Sequence, residues 1–375
     1  MIDTMTRPEP AACPDDQDMT PGAGGWLRTA TASKVAAMIG MSTHDSEKSM
    51  WLKMRHPDKF PRTSNKVQSR GHYLEEGFLR KWFDEHPEWE RIAAGEVLMT
   101  RPDLGYEAAA TPDSVARHRE TGEIIVIDCK TTGQWADHFQ WGDPGSDVIP
   151  YDYLAQGIWQ ILIGRYTYPN LVRAAYIKSG PMIDDQETYW VHYDEQIFAD
   201  VEFRVAAFMR SLILDIEPVN DTRAETFEAL RKVNPEIDRG DGEQWEINLD
   251  LAIEYTESIA EYERAEGRFN KAKSDVFRVM GKARQAIIPD AIQTFTKAGK
   301  PRPKLEPLII ATRTGTKGGG ATLKKPTKPV DIAQLRALRA ERLAAQRIDE
   351  LGLHDNPLTD ALTAAATATP ERNAA

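Results

Sequence analysis

Two short strand-like runs separated by a polar turn constrain the fold of this chain more than any other feature of its sequence. The first run is Ser114–Ala116, the second is Ile124–Ile127, and the polar segment Arg117–Gly122 lies between them. Strand-forming residues on both sides of a glycine-containing polar segment are typical of a β-hairpin. The sequence therefore predicts a hairpin near residue 120.

Acidic residues stand at both ends of this predicted hairpin. Asp113 precedes the first strand, Asp128 follows the second, and their midpoint falls between Glu120 and Thr121 in the turn. In a symmetric hairpin the two carboxylates would be directly opposite, with Cβ atoms about 5 Å apart if they share a face. Such a pair repels unless a cation lies between its members. We therefore expect a metal site at this end of the hairpin.

A lysine accompanies the acidic pair. Lys130 lies two residues after Asp128 on the same predicted strand, so both side chains point to one face. A metal-bound carboxylate pair beside an ammonium suits phosphodiester hydrolysis. The metal lowers the pKa of a bound water, while lysine orients that water or offsets charge on the phosphate.

A simpler interpretation treats Asp113 as a turn residue and Asp128–Lys130 as an exposed ion pair. Isolated acidic-residue–x–lysine triplets occur by chance in most chains. Here Pro112 precedes the first aspartate and a fully apolar run, Ile124–Ile127, leads into the second. A buried strand that delivers a charge to an edge favours the metal-site interpretation.

Helix and strand patterns surround the hairpin. Helices are predicted from apolar spacing and strands from short apolar runs. The predicted helices are one with Val35, Met38 and Ile39 on a shared face, Leu74–Phe83, Tyr153–Leu162 and Ile197–Leu214; the other predicted strands are Glu96–Met99, Glu107–Ala110, Val172–Ile177 and Tyr189–Tyr193. Strands bracketed by helices predict an α/β or α+β fold around one sheet.

The composition changes along the chain and suggests five regions. Residues 1–25 are rich in Pro, Asp, Thr and Gly and are predicted to be a disordered arm, and residues 26–220 form the main domain. Residues 221–296 are predicted to be helical, with a long amphipathic helix from Leu249 to Ile287. Residues 297–330 are interpreted as a basic flexible linker, and residues 331–375 as a short basic helix with a disordered tail.

Bulk properties leave the partner open. The net charge of −11 argues against nucleic acid, yet the segment 297–347 carries thirteen Lys and Arg residues against three acidic ones. That basic tail could hold DNA non-specifically, dock a partner, or be a solvated linker. Cys13 and Cys129 make no disulfide framework, which fits a reducing cytoplasm. No apolar stretch approaches the roughly 18 residues of a membrane span, and no secretory signal is recognised.

The motifs together resemble a known family. Thr111-Pro112-Asp113 followed by Ile127-Asp128-Cys129-Lys130 resembles the PD-(D/E)XK nuclease signature, and the wider context resembles its lambda-exonuclease or YqaJ-type viral recombinase branch. Four more segments between about Trp26 and Pro218 are similar to that branch: Thr31–Val35 ending at Gly40, Trp51 with Lys53, Gly71–Glu75, and Tyr153–Gln156. The resemblance implies a restriction-endonuclease-like core with a central mixed sheet flanked by helices.

Roles follow from the resemblance residue by residue. It implies that Asp113, Asp128 and the Cys129 backbone carbonyl bind metal, and that Glu75 supports the site or a second ion. Lys130 would assist the attacking water, and Gln156 would orient the site by hydrogen bonding. Ser33 and Arg28 would contact the 5′-phosphate of DNA.

The sequence departs from the family pattern at three places. Ile158 replaces a frequent second glutamine, for which Gln160 is a candidate substitute. Arg28 stands closer to the serine than in the best-known relative, and Asp replaces the more frequent Glu at position 128.

Other interpretations of these residues stay open. Glu75 competes with the adjacent Glu76 to face the site, Ser33 could cap a helix, and Gln156 could be a surface amide. His72, His118 and His138 have no metal-like spacing. Trp135, Phe139 and Trp141 could stack on a frayed base or pack under a loop.

The function implied by the resemblance is a phage-type DNA exonuclease. It would resect double-stranded DNA from a 5′ end, using two Mg²⁺ ions (or Mn²⁺) and leaving a 3′ overhang. It would work with a single-strand annealing protein, form a homo-oligomer such as a trimeric ring, and act in the cytoplasm of a bacterial host. The alternatives are a single-strand-specific repair nuclease on the same core and a catalytically silent DNA-binding or scaffold subunit.

Overall fold

The computed structural model describes residues 24–60, 66–94, 97–131, 141–180, 186–235, 244, 246–292, 304–316, 320–326 and 330–351. The chain divides into two compact units, Met1–Arg239 and Gly240–Ala375. The predicted arm before residue 24, the predicted tail after residue 351, and Trp135, His138 and Phe139 lie outside the described residues. Within the described ranges, no helix is both long enough and apolar enough to cross a membrane.

The first unit combines helices with short strands. Its helices are α1 (Gly24–Arg28), α2 (Ala32–Met38), α3 (Glu47–Arg55), α4 (Lys66–Glu85), α5 (Tyr151–Thr167), α6 (Glu195–Leu214) and α7 (Ala224–Val233). Its strands are β1 (Ala30–Thr31), β2 (Trp89–Ala94), β3 (Met99–Thr100), β4 (Ala108–Ala110), β5 (Ser114–His118), β6 (Ile124–Thr131), β7 (Leu171–Ser179) and β8 (Gln186–His192).

A five-stranded mixed sheet forms the centre of this unit. The strand order is β2-β5-β6-β7-β8. Strands β6 and β7 are parallel, while the other neighbours are antiparallel. A parallel pair needs a crossover connection, and α5 lies in the segment between β6 and β7. The expected mixed sheet flanked by helices is confirmed.

The predicted hairpin is also confirmed, and so is its register. Ser114 pairs with Ile127 and Arg117 with Ile124 across β5 and β6. The amide of Asp113 donates to the Ile127 carbonyl at 3.0 Å. The ladder ends at the Ser114–Ile127 pair, and the Asp113 amide, one residue earlier, bonds to the same Ile127. Asp113 therefore lies at the end of the hairpin where Asp128 follows Ile127.

Both faces of the sheet are buried. On one face Val126 and Tyr176 belong to a large apolar cluster that includes residues of α2, α5 and α6. On the other face Ile125 and Ile127 pack with Phe78, Leu79 and Trp82 of α4. Because alternate residues of β6 enter two different cores, the strand is apolar without interruption until Asp128.

A smaller three-stranded sheet lies beside the first and leads into the hairpin. Its order is β1-β4-β3, with Ala30 paired to Ala108 in a parallel ladder. The indole nitrogen of Trp159 on α5 donates to the carbonyls of Ala30 at 3.1 Å and Ala109 at 3.2 Å. One buried side chain therefore fixes α5 against both β1 and β4.

Helix α5 approaches the central sheet so closely that a side chain in place of Gly157 would be tightly packed. A Cβ atom on Gly157 would lie 3.0 Å from Cε2 of Tyr176 and 3.1 Å from Cγ2 of Val191. We expect Gly157→Ala to lower the free energy of unfolding of the first unit by about 1–3 kcal/mol, measured by urea denaturation. Gly71→Ala on α4 is the control, because its Cβ would meet only Oγ1 of Thr131, at 3.5 Å. Equal stability of the two variants would contradict the close approach.

The second unit contains two helices and three strands in its described part. They are α8 (Leu249–Met280), β9 (Gln285–Ile292), β10 (Glu306–Gly315), β11 (Ala321–Lys324) and α9 (Ile332–Leu351). The strands form an antiparallel sheet in the order β11-β10-β9. Helix α9 occupies the segment for which the sequence predicts a short basic helix.

Three boundary predictions are corrected by these elements. The long helix ends at Met280 rather than Ile287, because Gly281 adopts a positive φ of 54° and strand β9 follows. The prediction of a flexible linker over 297–330 is wrong for β10 and β11. Their β-branched residues pair in register despite the many Lys, Gly and Pro residues around them. Helix α7 belongs to the first unit, where Thr226 contacts Ser46 on α3, so that unit extends past residue 220.

Candidate active site

Asp128 lies at the centre of the candidate site. Its side chain is on the face of β6 that α5 covers, and only 2% of the residue is exposed. Oδ1 accepts hydrogen bonds from Nε2 of Gln156 at 3.2 Å and Nε2 of Gln160 at 3.0 Å, and Oδ2 is ion-paired with the Lys130 ammonium. Three side chains therefore fix the orientation of one buried carboxylate.

Lys130 is held in its charged form. Burial opposes its charge, but the carboxylates of Asp128 and Asp113 outweigh burial and raise the pKa of Lys130. The ammonium also lies 5.1 Å from the ring centroid of Tyr153 and 5.8 Å from that of Tyr176. A cation stacked against aromatic faces and paired with a carboxylate stays protonated over the physiological pH range.

Asp113 lies near Asp128 at the end of the hairpin and is half-buried. Its Oδ2 accepts a hydrogen bond from the Cys129 amide at 2.6 Å. Burial raises the pKa of Asp113 well above its usual range, and the charge of Asp128 adds to this effect. Two neighbouring carboxylates, one of them buried, are costly unless a positive charge compensates them.

The competition between Glu75 and Glu76 is settled by their surroundings. Glu76 is exposed, and its two carboxylate oxygens accept from Arg91 at 2.9 and 3.0 Å. Burial raises the pKa values of Asp113 and Cys129, and the charge of Glu75 adds to both. Of the two glutamates, Glu75 is therefore the one near the acidic pair, and its role as a metal ligand stays a prediction.

The segment that carries Arg28 and Ser33 is fixed by a buried lysine. Nζ of Lys34 donates to the carbonyls of Trp26 and Thr29, the latter at 2.6 Å. Burial lowers the pKa of Lys34 well below its usual range. Ser33 is exposed in the first turn of α2, whose N-cap is Thr31, so the interpretation of Ser33 as the helix cap is wrong.

The described aromatic and histidine candidates are packing residues. Trp141 is buried, with its ring 4.6 Å from that of Tyr189 and 5.6 Å from that of Tyr153. The packing interpretation of Trp141 therefore holds. His118 lies edge-on to Trp89 at 5.0 Å, away from the acidic pair in the hairpin turn.

Part of the chain is similar to a known protein domain. Residues 26–167 match the YqaJ-like viral recombinase domain. The matched residues include Asp113, Asp128, Lys130 and Gln156, so the resemblance inferred from the motifs is confirmed. No curated protein matches the chain.

Several solved structures are similar to part of the chain. An alkaline exonuclease from Laribacter hongkongensis has 20% identity and a TM-score of 0.40, over 51% of this chain and 91% of that one. A phage-related exonuclease from Haemophilus somnus 129PT has 15% identity and a TM-score of 0.36, over 50% of this chain and 95% of that one.

The residues of the recombinase domain fit a hard divalent cation. Among the described side chains, no three Asp, Glu, His or Cys residues already converge as a metal-binding group. The carboxylates of Asp113, Asp128 and Glu75 nevertheless lie close enough for their charges to interact, and each offers oxygen donors. Oxygen donors are those that Mg²⁺ and Mn²⁺ prefer. Burial and the charge of Asp128 raise the pKa of Asp113, and a bound cation would oppose both effects.

Gln160 confirms a candidate from the sequence, and Lys178 is a neighbour of Lys130 that the sequence did not indicate. Gln160 is fully buried and donates to Asp128 one helical turn after Gln156, which is a spacing that the sequence already offers. Lys178 on β7 pairs in register with Lys130, and its Nζ donates to Glu187 at 2.7 Å. The position of Lys178 follows only from the strand register, so no pattern in the sequence indicates it.

Gln156 and Gln160 give a testable measure of how much the orientation of Asp128 matters. We expect Gln160→Leu to lower the rate of DNA degradation about 10- to 100-fold, because partners that orient a ligand carboxylate contribute effects of that size. Gln156→Leu should act in the same direction. The exposed Gln196→Leu on α6 is the control. Unchanged rates in both site variants, measured at saturating DNA, would show that Asp128 needs no such support.

Proposed function

We propose that the recombinase domain is a metal-dependent DNA exonuclease that resects double-stranded DNA from its 5′ ends. The observation that carries the proposal is the Asp113–Asp128 pair at the end of the β5–β6 hairpin, with the Lys130 ammonium paired to the buried Asp128. A carboxylate pair and a retained ammonium at the end of a buried strand serve phosphodiester hydrolysis.

The residues of the site would have separate roles in the reaction. Divalent ions, two Mg²⁺ or Mn²⁺, would activate water and offset phosphate charge when bound. Asp113, Asp128, the Cys129 carbonyl and Glu75 would hold them. Lys130 would orient the attacking water and stabilise charge on the phosphate.

Hydrogen bonds within the site would keep its geometry fixed during turnover. Gln156 and Gln160 hold Asp128 Oδ1, and the Cys129 amide holds Asp113 Oδ2. A preorganised site of this kind avoids reorganisation at the moment of reaction. We propose that both glutamines are positioning residues.

The polarity and the partners of the reaction belong to the same proposal. Ser33, exposed at the start of α2, and Arg28 at the end of α1 would contact the 5′-phosphate. Resection would leave a 3′ overhang for a single-strand annealing protein. The protein would act as a homo-oligomer, a trimeric ring being one form, in the cytoplasm of a bacterial host.

A digest of end-labelled DNA tests this proposal. The substrate is a blunt duplex with 5′-phosphates and different fluorophores near the 5′ and 3′ ends of one strand. We expect degradation with Mg²⁺, none with excess EDTA, and release of the 5′ label before the 3′ label. Degradation in EDTA would refute the metal-dependent mechanism, and earlier release of the 3′ label would refute the polarity. Faster loss of a single-stranded control would indicate the repair-type nuclease instead, and no degradation of any substrate would indicate a silent DNA-binding subunit.

A further inference from the structure

A second lysine lies beside Lys130 on the neighbouring strand. Lys178 of β7 pairs in register with Lys130, and Tyr176, two residues earlier, pairs with Asp128. Residues paired in register point to the same face of a sheet, so both lysines are on the face that carries Asp128. A strand spacing of about 4.8 Å and a rise of about 3.3 Å per residue place the backbones of Lys178 and Asp128 about 8 Å apart. A lysine side chain spans such a diagonal, so Lys178 can reach the carboxylate that Lys130 contacts.

A carboxylate on the next strand holds Lys178 in a different direction. Glu187 of β8 pairs in register with Lys178, and its Oε2 accepts a hydrogen bond from Nζ of that lysine at 2.7 Å. The hydroxyl of Tyr189 donates to the same oxygen at 2.9 Å. Strand β8 lies on the side of β7 away from β6. The ion pair therefore directs the Lys178 ammonium away from the acidic pair.

Burial makes Lys178 depend on this partner. Only 6% of the residue is exposed, and its Nζ lies 5.6 Å from the ring centroid of Trp141 and 5.6 Å from that of Tyr189. A buried ammonium that loses its partner keeps a large desolvation cost, so it moves toward another carboxylate within reach. Without the charge of Glu187, Lys178 would therefore turn toward the acidic pair, which already attracts Lys130.

We propose that Glu187 is a positioning residue, which holds the Lys178 ammonium away from Asp128 and Asp113 and so leaves these carboxylates available to a divalent cation. A second ammonium at the acidic pair would compete with the cation, because both positive groups need the same carboxylate oxygens. The inference rests on the metal-dependent function proposed above. It assigns to Glu187 an effect on metal affinity that acts through Lys178 alone.

Manganese binding tests this role without turnover. Electron paramagnetic resonance measures free Mn²⁺ in solutions of the full-length protein without DNA, which gives a dissociation constant for each variant. We expect Glu187→Gln to raise this constant at least about tenfold, because it releases a positive charge beside the acidic pair. Lys178→Met should stay within about threefold of wild type. The double variant should also return to within about threefold, because the competing ammonium is gone.

Glu217→Gln is the matched control, because Glu217 is paired with Lys48 of α3, outside the strands that form the site. Both ion pairs measure 2.7 Å, and both lysine side chains are 7% exposed. We expect less than about a threefold effect on Mn²⁺ affinity, and urea denaturation establishes that each variant is folded.

The outcomes separate this inference from the function on which it rests. Equal affinities of wild type and Glu187→Gln would overturn the role of Glu187 and leave the metal-dependent function standing. A double variant as weak as Glu187→Gln would also overturn it, because a purely structural role predicts no rescue by Lys178→Met. A wild-type protein that binds no Mn²⁺ would refute the metal-dependent function, and this inference with it.

Discussion

Replacing Asp128 with asparagine is expected to lower the rate of magnesium-dependent DNA degradation by at least about a thousandfold. Asparagine keeps the size of the side chain and an Oδ1 acceptor for Gln156 and Gln160, whose amides donate to that atom. It removes the negative charge that would bind metal and that balances Lys130. The rate constant is measured with saturating blunt duplex, and DNA binding is measured separately by fluorescence anisotropy.

Asp103→Asn is the matched control for this experiment. Asp103 lies in the same unit, and its carboxylate is exposed and paired with Arg101. The substitution is chemically the same as in Asp128→Asn. Its rate should stay within about twofold of wild type, because surface ion pairs contribute little. A rate above a tenth of wild type in the Asp128 variant would show that the acidic pair is not the catalytic centre.

Trp159→Ala is expected to cost about 3–5 kcal/mol of unfolding free energy, the largest stability effect that we predict for a single residue. The ring is completely buried between α5 and the small sheet, and its nitrogen donates to the carbonyls of Ala30 and Ala109. Trp159→Phe keeps most of the apolar volume but leaves both carbonyls without this donor. We expect it to cost about 1–3 kcal/mol, measured by urea denaturation of the first unit.

Phe203→Ala on α6 serves as the comparison. Phe203 is also a large aromatic residue, but 73% of it is exposed. Its removal should change the unfolding free energy by no more than about 0.5 kcal/mol. Similar losses for Trp159→Ala and Phe203→Ala would contradict the packing of α5 against β1 and β4.

The hairpin shows what the sequence can determine at this site. Strand-forming residues around a polar turn define β5 and β6 locally, and the symmetry of the turn gives the observed pairing of Ser114 with Ile127, next to the two aspartates. Lys130 follows from the alternation of side chains along a strand. These inferences hold because each depends on residues that are close in the sequence.

Contacts between distant segments could not be predicted in the same way. The pairing of β6 with β7 depends on how α5 crosses the sheet, and therefore neither the register of Lys178 with Lys130 nor its neighbour Glu187 is visible in the sequence. Strand β1 has two residues, too few for any periodicity. Strands β10 and β11 were not predicted because the segment is rich in Lys, Gly and Pro, a composition typical of a linker. Their β-branched residues are too few to change that prediction.

Strand β6 is hydrogen-bonded on both sides, to β5 and to β7, and both of its faces are covered. Amide protons in such a strand exchange with solvent only when most of the surrounding structure opens. The Asp128 carboxylate is therefore attached to the backbone that fluctuates least. Heating should not loosen this centre ahead of the rest of its unit. The temperature at which turnover is lost should coincide with that of cooperative unfolding, and the amides of residues 125–128 should be among the last to incorporate deuterium.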